Sequence, residues 1–184
     1  MSEIQHSKAP DGTDTAAPER DRIEKEITIA ASPERVWAVL TEPKHVGNWF
    51  GQGEPTPVDL RPGGTMLLDH GEYGTFPTTI VEVDPPHRFV YRWAAAHPGE
   101  QAVEGNSTLV EFTLVPDGEG THLTVVETGF TTLDVPADSV ETASYESHEG
   151  GWAGQVVNIK TYAETGATGR TDGVTGGNCE DAGS

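Results

Sequence analysis

The feature that most constrains this sequence is a block of strand-like segments followed by a single long amphipathic segment. The block extends from Gly64 to Gly129, and the amphipathic segment opens near Gly150-Gly151-Trp152. A sheet must bury one of its faces, and only this one helix is long enough to cover it. The pattern therefore predicts a curved antiparallel sheet wrapped around one helix, an arrangement that often encloses a hollow.

The strands of this sheet are identified by alternating apolar and polar residues. The first extends from Ile23 to Ala30, and the others are expected at 56–60, 65–70, 75–83, 87–94, 107–115 and 121–128. Short turns separate them, most clearly Asp117-Gly118-Glu119-Gly120, which is typical of a β-hairpin. Successive strands joined by tight turns predict an antiparallel meander.

Two short helices are predicted directly after the first strand. Ser32 is expected to be the N-cap of the first helix, with Pro33 at its first position. Pro43 interrupts this helix, and a second one is expected to end near Trp49-Phe50.

The long helix is expected to begin between 136 and 151 and to end near Thr165, with Gly166 as its C-cap. One face of it is marked by helical spacing of Trp152, Val156, Ile159 and Ala163.

Length and composition favour one domain. The chain has 184 residues, enough for one substantial core. We expect the domain to span 21–165, flanked by disordered tails at 1–20 and 166–184 that have few large apolar residues. The single cysteine, Cys179, lies in the second tail and excludes an intramolecular disulfide.

The charge excludes several classes of partner. The formal net charge is −19, from 30 acidic and 11 basic residues. Nucleic acids and anionic membrane surfaces both require clustered Lys and Arg, so neither is expected as a partner. No apolar signal segment or membrane-spanning run is present in the sequence, and we predict a cytoplasmic protein without membrane insertion.

Several short motifs, in this order along the chain, carry a resemblance to a known superfamily. They are Ser-Pro-Glu-Arg-Val-Trp-Ala-Val-Leu-Thr (32–41), Trp49-Phe50-Gly51, Asp-Leu-Arg-Pro-Gly-Gly (59–64), Val-Asp-Pro-Pro-His-Arg-Phe-Val-Tyr-Arg-Trp (83–93), Gly129-Phe130 and Gly151-Trp152. Together they resemble the START-like, or SRPBCC, superfamily over about 22–164. Within it the chain is most similar to the family named for the carboxyl-terminal domain of the activator of heat-shock protein 90 ATPase.

The resemblance implies an α+β helix-grip fold, as in birch-pollen-allergen-like proteins. It also implies binding of apolar small molecules between the sheet and the carboxyl-terminal helix, since relatives bind lipids, sterols or polyketides there. A co-chaperone role, as in the family's namesake, is a further implication.

Aromatic residues spread over the facing elements independently favour a cavity, because large rings leave irregular spaces. The candidate ligand-binding residues are Trp49, Phe76, Tyr91, Trp93, Phe112, Glu127, Trp152, Val156 and Ile159. Plain core packing is the alternative for the aromatic positions, and it is preferred for Phe112, Trp152 and a further aromatic residue, Phe89.

Glu127 is the most informative polar residue, because it shares a strand face with Leu123 and Val125. A carboxylate on the inward face is a candidate general base or ligand anchor. Alternatively, Glu127 lies in water at the open end of the sheet or pairs with Arg88 or Arg92. Tyr91 and His70 are the other catalytic candidates.

These observations predict a carrier or sensor for a small apolar or amphipathic molecule. The alternatives are a cyclase- or aromatase-like enzyme that uses Glu127 with Tyr91 or His70, and a co-chaperone-like interaction module. The seven histidines show no metal-ligand spacing, so we expect neither a metal nor a cofactor. A monomer or a homodimer is expected.

Overall fold

The structure is a computed structural model that describes residues 20–166. Apart from Arg20 and Gly166, the predicted tails lie outside the described residues. The strands are β1 (Arg22–Ile29), β2 (Leu67–Asp69), β3 (Thr75–Pro77), β4 (Thr79–Asp84), β5 (Arg88–Trp93), β6 (Thr108–Asp117) and β7 (Gly120–Thr128). The helices are α1 (Pro33–Thr41), α2 (Pro43–Trp49), α3 (Val140–Ala143) and α4 (Tyr145–Thr165).

The main sheet is antiparallel and has five strands in the order β1-β7-β6-β5-β4, while β2 and β3 form a separate two-stranded sheet. One row of paired residues crosses all five strands of the main sheet: Ile23, Glu127, Val110, Tyr91 and Ile80. Every member of this row is buried. The row therefore lies on the covered face of the sheet and contains one carboxylate, that of Glu127.

The long helix α4 covers this face and also packs against α1 and α2. The residues that it buries are His148, Trp152, Val156, Ile159, Tyr162 and Ala163. This helical spacing places them on one stripe toward the sheet. The helix-grip fold predicted from the sequence is confirmed.

The helix ends follow the capping rules. Ser32 caps α1, because its hydroxyl accepts a hydrogen bond from the Arg35 backbone N–H at 3.3 Å, as predicted. Gly166 ends α4 in the left-handed conformation, with a φ of 71°. The long helix α4 starts within the predicted interval of 136–151, ahead of Gly150-Gly151. It begins at Tyr145, because Ser144 already caps it by accepting from Ser147 N–H.

Two predicted strands differ from the structure. The segment 56–60 makes only an isolated bridge, Val58 to Met66, because Pro55 and Pro57 cannot donate ladder hydrogen bonds. The predicted strand 75–83 divides at Thr78 into β3 and β4, which belong to different sheets. The Thr78 backbone N–H and hydroxyl both donate to the Met66 carbonyl, which turns the chain from one sheet into the other.

The carboxyl-terminal end of α4 is held by α1 and α2. The Arg35 guanidinium donates to the carbonyls of Tyr162 and Ala163, each at 3.3 Å. These carbonyls lie in the last turn of the helix, where a cation is favourable. His45 Nδ1 lies 2.8 Å from the Tyr162 hydroxyl. Burial lowers the pKa of His45, and the neighbouring charges of Arg35 and Lys44 lower it further.

The depressed pKa of His45 predicts a pH dependence of stability. The unfolded chain takes up the His45 proton near its ordinary value of 6.5, more readily than the folded chain does. The contribution of neutral His45 is therefore fully present above pH 6.5 and is lost as the pH falls through the folded pKa. We expect the stability difference between the wild type and His45→Gln to shrink from pH 7.5 to pH 5.5 in urea unfolding. A constant difference would contradict this prediction.

Candidate functional site

A cavity of about 230 Å³ opens beside the first half of α4, next to α3 and the connection between β2 and β3. Its walls are mainly rings, contributed by Phe50, Tyr73, Trp93, Trp152 and the imidazoles of His70 and His148. The remaining lining residues come from α3 and α4 and are Glu141, Thr142, Ser147, Gly151 and Gln155. The cavity therefore combines aromatic walls with polar side chains from the two helices.

The rings of the wall pack against one another. Phe50, which caps the carboxyl end of α2, meets Trp93 edge-on with ring centroids 5.4 Å apart. The Phe50 ring also lies 5.3 Å from the ring of His70. Trp93, the last residue of β5, stacks on His148 of α4 at 4.6 Å. Since every ring is braced by another, the cavity is formed before any molecule enters it.

Glu127 lies behind this wall and is 0% exposed. Its Oε1 accepts a hydrogen bond from the Thr108 hydroxyl at 2.5 Å. Its Oε2 accepts from the Trp152 indole N–H at 2.6 Å. His148 Nδ1 lies 2.9 Å from both carboxylate oxygens. The buried carboxylate thus has partners on β6 and α4, which satisfies the requirement that a buried charge be paired and hydrogen-bonded.

The proton count of the buried pair follows from the partners of His148. Its Nδ1 faces Glu127, and its Nε2 lies 3.1 Å from the backbone carbonyl of Thr142. A carbonyl can only accept, so Nε2 carries a proton. A second proton lies between Nδ1 and the carboxylate, because two acceptors cannot bond each other. The pair as a whole is therefore neutral, and it connects β7 to α3 and α4.

This arrangement limits acid–base chemistry. Every nitrogen of His148 and both oxygens of Glu127 already have partners within the protein. Proton transfer to a molecule in the cavity would first have to break one of these bonds. Burial raises the pKa of Tyr91 well above its usual value, and the nearby charge of Glu127 raises it further. At neutral pH the Tyr91 hydroxyl therefore keeps its proton.

The structure brings only some of the sequence-predicted residues to the cavity. Those that line it are His70, Trp93 and Trp152. Glu127 lies directly behind the wall, in contact with His148 and Trp152. The other predicted residues are buried in the core away from the lining: Trp49, Phe76, Tyr91, Phe112, Val156 and Ile159. Trp49, for example, donates its indole N–H to the Val39 carbonyl at 2.9 Å.

The two alternatives considered for Glu127 from the sequence, exposure to water and a pair with Arg88 or Arg92, are both wrong. Arg88 instead bonds Glu82 and Glu111 on the other face of the sheet, at 2.8 and 2.6 Å. Strand alternation explains the difference, because Arg88 and Arg92 point away from the face that carries Phe89, Tyr91 and Trp93.

Sequence reasoning missed His148, together with Phe50 and Tyr73. A signal for His148 was available, since it lies four residues before Trp152 and therefore on the same helix face. Phe50 and Tyr73 carry no comparable signal. Phe50 follows the end of α2 and Tyr73 ends a short 3₁₀ helix, Gly71–Tyr73, and tertiary packing sets the direction of both side chains.

Two further structural findings concern residues 20–166. In this range no group of three histidine, cysteine, aspartate or glutamate side chains is arranged to hold a metal ion. None of the helices described is both long and apolar enough to cross a membrane.

An antiparallel sheet that grips a carboxyl-terminal helix, with an aromatic cavity beside that helix, defines a helix-grip protein of the START-like type. The sequence matches the family described as activator of Hsp90 ATPase homolog 1-like protein over residues 30–164, and the chain belongs to this family. No curated protein matches the sequence.

Solved structures share the fold at low sequence identity. A protein from Mesorhizobium loti is 23% identical, with a TM-score of 0.57, and the match covers 76% of this chain and 94% of that one. The Aha1 dimer from Colwellia psychrerythraea is 19% identical, with a TM-score of 0.60 and coverage of 79% and 97%. DynU16, a protein of the dynemicin biosynthetic locus, is 24% identical, with a TM-score of 0.61 and 83% of this chain covered; the match spans 50% of DynU16.

Proposed function

We propose that this protein binds a small apolar or amphipathic molecule in the cavity beside α4 and acts as a carrier or sensor. The observation that carries the proposal is the ring-lined cavity, whose wall includes His148, held from behind by the buried carboxylate of Glu127. A concave site with apolar walls and a few polar groups is the common form of a small-molecule site. Membership of the family supports the same function.

The size of the cavity limits the ligand. At about 230 Å³ it is smaller than the roughly 300–1,000 Å³ of pockets that take drug-sized molecules. A compound with one or two rings fits this volume better than a sterol or a long acyl chain. Trp93 and Trp152 both line the cavity, so both should contact the ligand.

Binding is better supported than catalysis by this geometry. The enzyme hypothesis requires Glu127 to act with Tyr91 or His70 on a bound molecule. Glu127 does not line the cavity, and its oxygens are already bonded within the protein. His70 lines the cavity from the β2–β3 connection, but Tyr91 does not line it. No single observation favours the enzyme over the carrier or sensor.

A glycine on α4 offers a direct test. Gly151 lines the cavity, and a Cβ added there would meet nothing within 4 Å. Gly151→Leu should therefore fold normally and fill the cavity.

A panel of one- and two-ring compounds is screened by thermal unfolding of the wild type. At a hundredfold excess over Kd a ligand stabilises by about 2.7 kcal/mol, which for a domain of this size raises Tm by about 5–10 °C.

Gly150→Leu is the matched control, because Gly150 is also a helical glycine with open space but does not line the cavity. The proposal expects the Tm increase to persist in Gly150→Leu and to disappear in Gly151→Leu. It is wrong if no compound stabilises the wild type at millimolar concentration, or if Gly151→Leu responds as strongly as the wild type.

A further inference from the structure

The lining of the cavity contains one unpaired charge, the carboxylate of Glu141. Within residues 20–166 no hydrogen bond or ion pair engages the Glu141 side chain. Neither Lys nor Arg occurs among the lining residues that the structure describes. Since the Glu127–His148 pair is neutral as a unit, Glu141 contributes the net charge of the lining, and it is an exposed residue. The cavity is therefore an unfavourable site for an anion.

The hydrogen-bond donors of the lining are mostly used within the protein. The hydroxyl of Ser147 donates to the Glu141 carbonyl, and that of Thr142 donates to the Ser139 carbonyl. His148 and Trp152 direct their N–H groups to Thr142 and Glu127. The indole N–H of Trp93 is an exception, because it is buried without a hydrogen-bond partner among the described residues. The accepting groups of the lining are the hydroxyl lone pairs and the Glu141 carboxylate. A ligand that carries N–H donors would match this lining.

The walls add a second reason to expect a cation. Tryptophan, tyrosine and phenylalanine present electron-rich ring faces, which attract organic ammonium groups more strongly when the site excludes water. Trp93, Trp152 and Phe50 belong to the lining, and each is 5% exposed or less. Tyr73 lines the same cavity but is more exposed, at 47%. Aromatic walls with a carboxylate beside them are suited to a cationic head group on an apolar body.

We infer that the ligand of this cavity is an aromatic or aliphatic organic cation, such as an amine, with its ammonium group held by Glu141 and the surrounding rings. This inference rests on the proposed function and specifies its ligand class. It names Glu141 as the residue that determines specificity for charge, whereas the rings provide contact area for any apolar body.

The test compares three small probes of similar shape and different charge: benzylammonium, benzyl alcohol and benzoate. Their dissociation constants are measured by tryptophan fluorescence at pH 7.5 and 150 mM salt, with the full chain. Benzylammonium should bind at least about tenfold more tightly than benzyl alcohol, and benzoate should bind most weakly. Glu141→Gln should remove most of the preference for benzylammonium over benzyl alcohol while leaving the affinity for benzyl alcohol unchanged.

Glu119→Gln is the control for the overall negative charge. Glu119 lies in the turn between β6 and β7, directly before the first residue of β7, whereas Glu127 lies near the last residue of that strand. At about 3.3 Å per residue the length of β7 separates the two ends by roughly 25 Å, well beyond the Debye length of about 8 Å at this salt. Glu119→Gln removes the same charge as Glu141→Gln, so it should leave all three affinities unchanged.

The outcomes separate this inference from the proposed function. Equal binding of benzylammonium and benzyl alcohol, both abolished by Gly151→Leu, would keep the cavity as a binding site and overturn the inference. An unchanged preference for benzylammonium in Glu141→Gln would also overturn it, as would an equal loss in Glu119→Gln. If no probe binds and the wider panel fails as well, both proposals are wrong.

Discussion

Glu127→Ala is expected to lower the free energy of unfolding by about 3–5 kcal/mol, the cost of removing one partner from a buried ion pair. The substitution removes the acceptor for Thr108, His148 and Trp152 at once. It also leaves a space beside the cavity wall. For a domain of this size the loss corresponds to a decrease in Tm of about 10 °C or more. Chemical and thermal unfolding of purified protein measure it.

Two further variants are expected to lose less stability than Glu127→Ala and serve as comparisons for it. Glu127→Gln should cost much less than Glu127→Ala, because the amide oxygen can still accept from Trp152 and the amide N–H can donate to Nδ1 of a neutral His148. Glu111→Ala removes a carboxylate from β6 on the opposite face of the sheet, where it bonds Arg88 and its side chain is 32% exposed. That change should cost less than about 1 kcal/mol. Equal losses for Glu127→Ala and Glu111→Ala would show that the buried network is not important for stability.

A double-mutant cycle tests whether the pair acts as a unit. Once His148 is replaced by Ala, Glu127 has already lost one of its partners, so a second substitution removes less. The combined loss should therefore fall short of the sum of the single losses by about 1–3 kcal/mol. Strict additivity would mean that the contact between the two side chains contributes nothing beyond their separate packing.

The fold could be predicted from the sequence because the patterns that indicate it are local. Strand alternation, the turn at Asp117–Gly120 and the Ser32 cap each depend on neighbouring residues, and each is present in the structure. The same alternation placed Glu127 beside Leu123 and Val125 on the inner face, where it is buried. The same alternation also excludes Arg88 as a partner of Glu127. Phe89 points to the inner face of the sheet, so its neighbour Arg88 points to the outer face.

The candidate site was less accessible because it depends on contacts distant in sequence. His148 and Glu127 are brought together only when α4 crosses the sheet. The predicted residues Trp49 and Phe112 became core because their rings pack on each other at 5.9 Å instead of facing the cavity. Tyr73 lines the cavity only through the fold of the β2–β3 connection. A sequence pattern shows which face is buried, but it does not show where the packing leaves space.

Gly47→Ala is expected to destabilise the protein by about 1–3 kcal/mol or more, the range for overpacking a well-packed site. Helix propensity alone predicts the opposite sign, because alanine is favoured over glycine within a helix by about 1 kcal/mol. Gly47 lies within α2, but a Cβ built there would lie 1.9 Å from the backbone carbonyl oxygen of Glu54. The backbone on both sides would have to move, because no flexible side chain is available to give way.

The matched control for Gly47→Ala is Gly154→Ala, since Gly154 is also a helical glycine but has nothing within 4 Å of an added Cβ. That variant should be more stable than the wild type by about 0.5–1 kcal/mol. The same substitution in two helices is therefore expected to change stability in opposite directions, as measured by urea unfolding. If both variants are stabilised, the close approach of Glu54 to α2 is wrong. The loop that follows α2, and the position of Phe50 in the cavity wall with it, would then need revision.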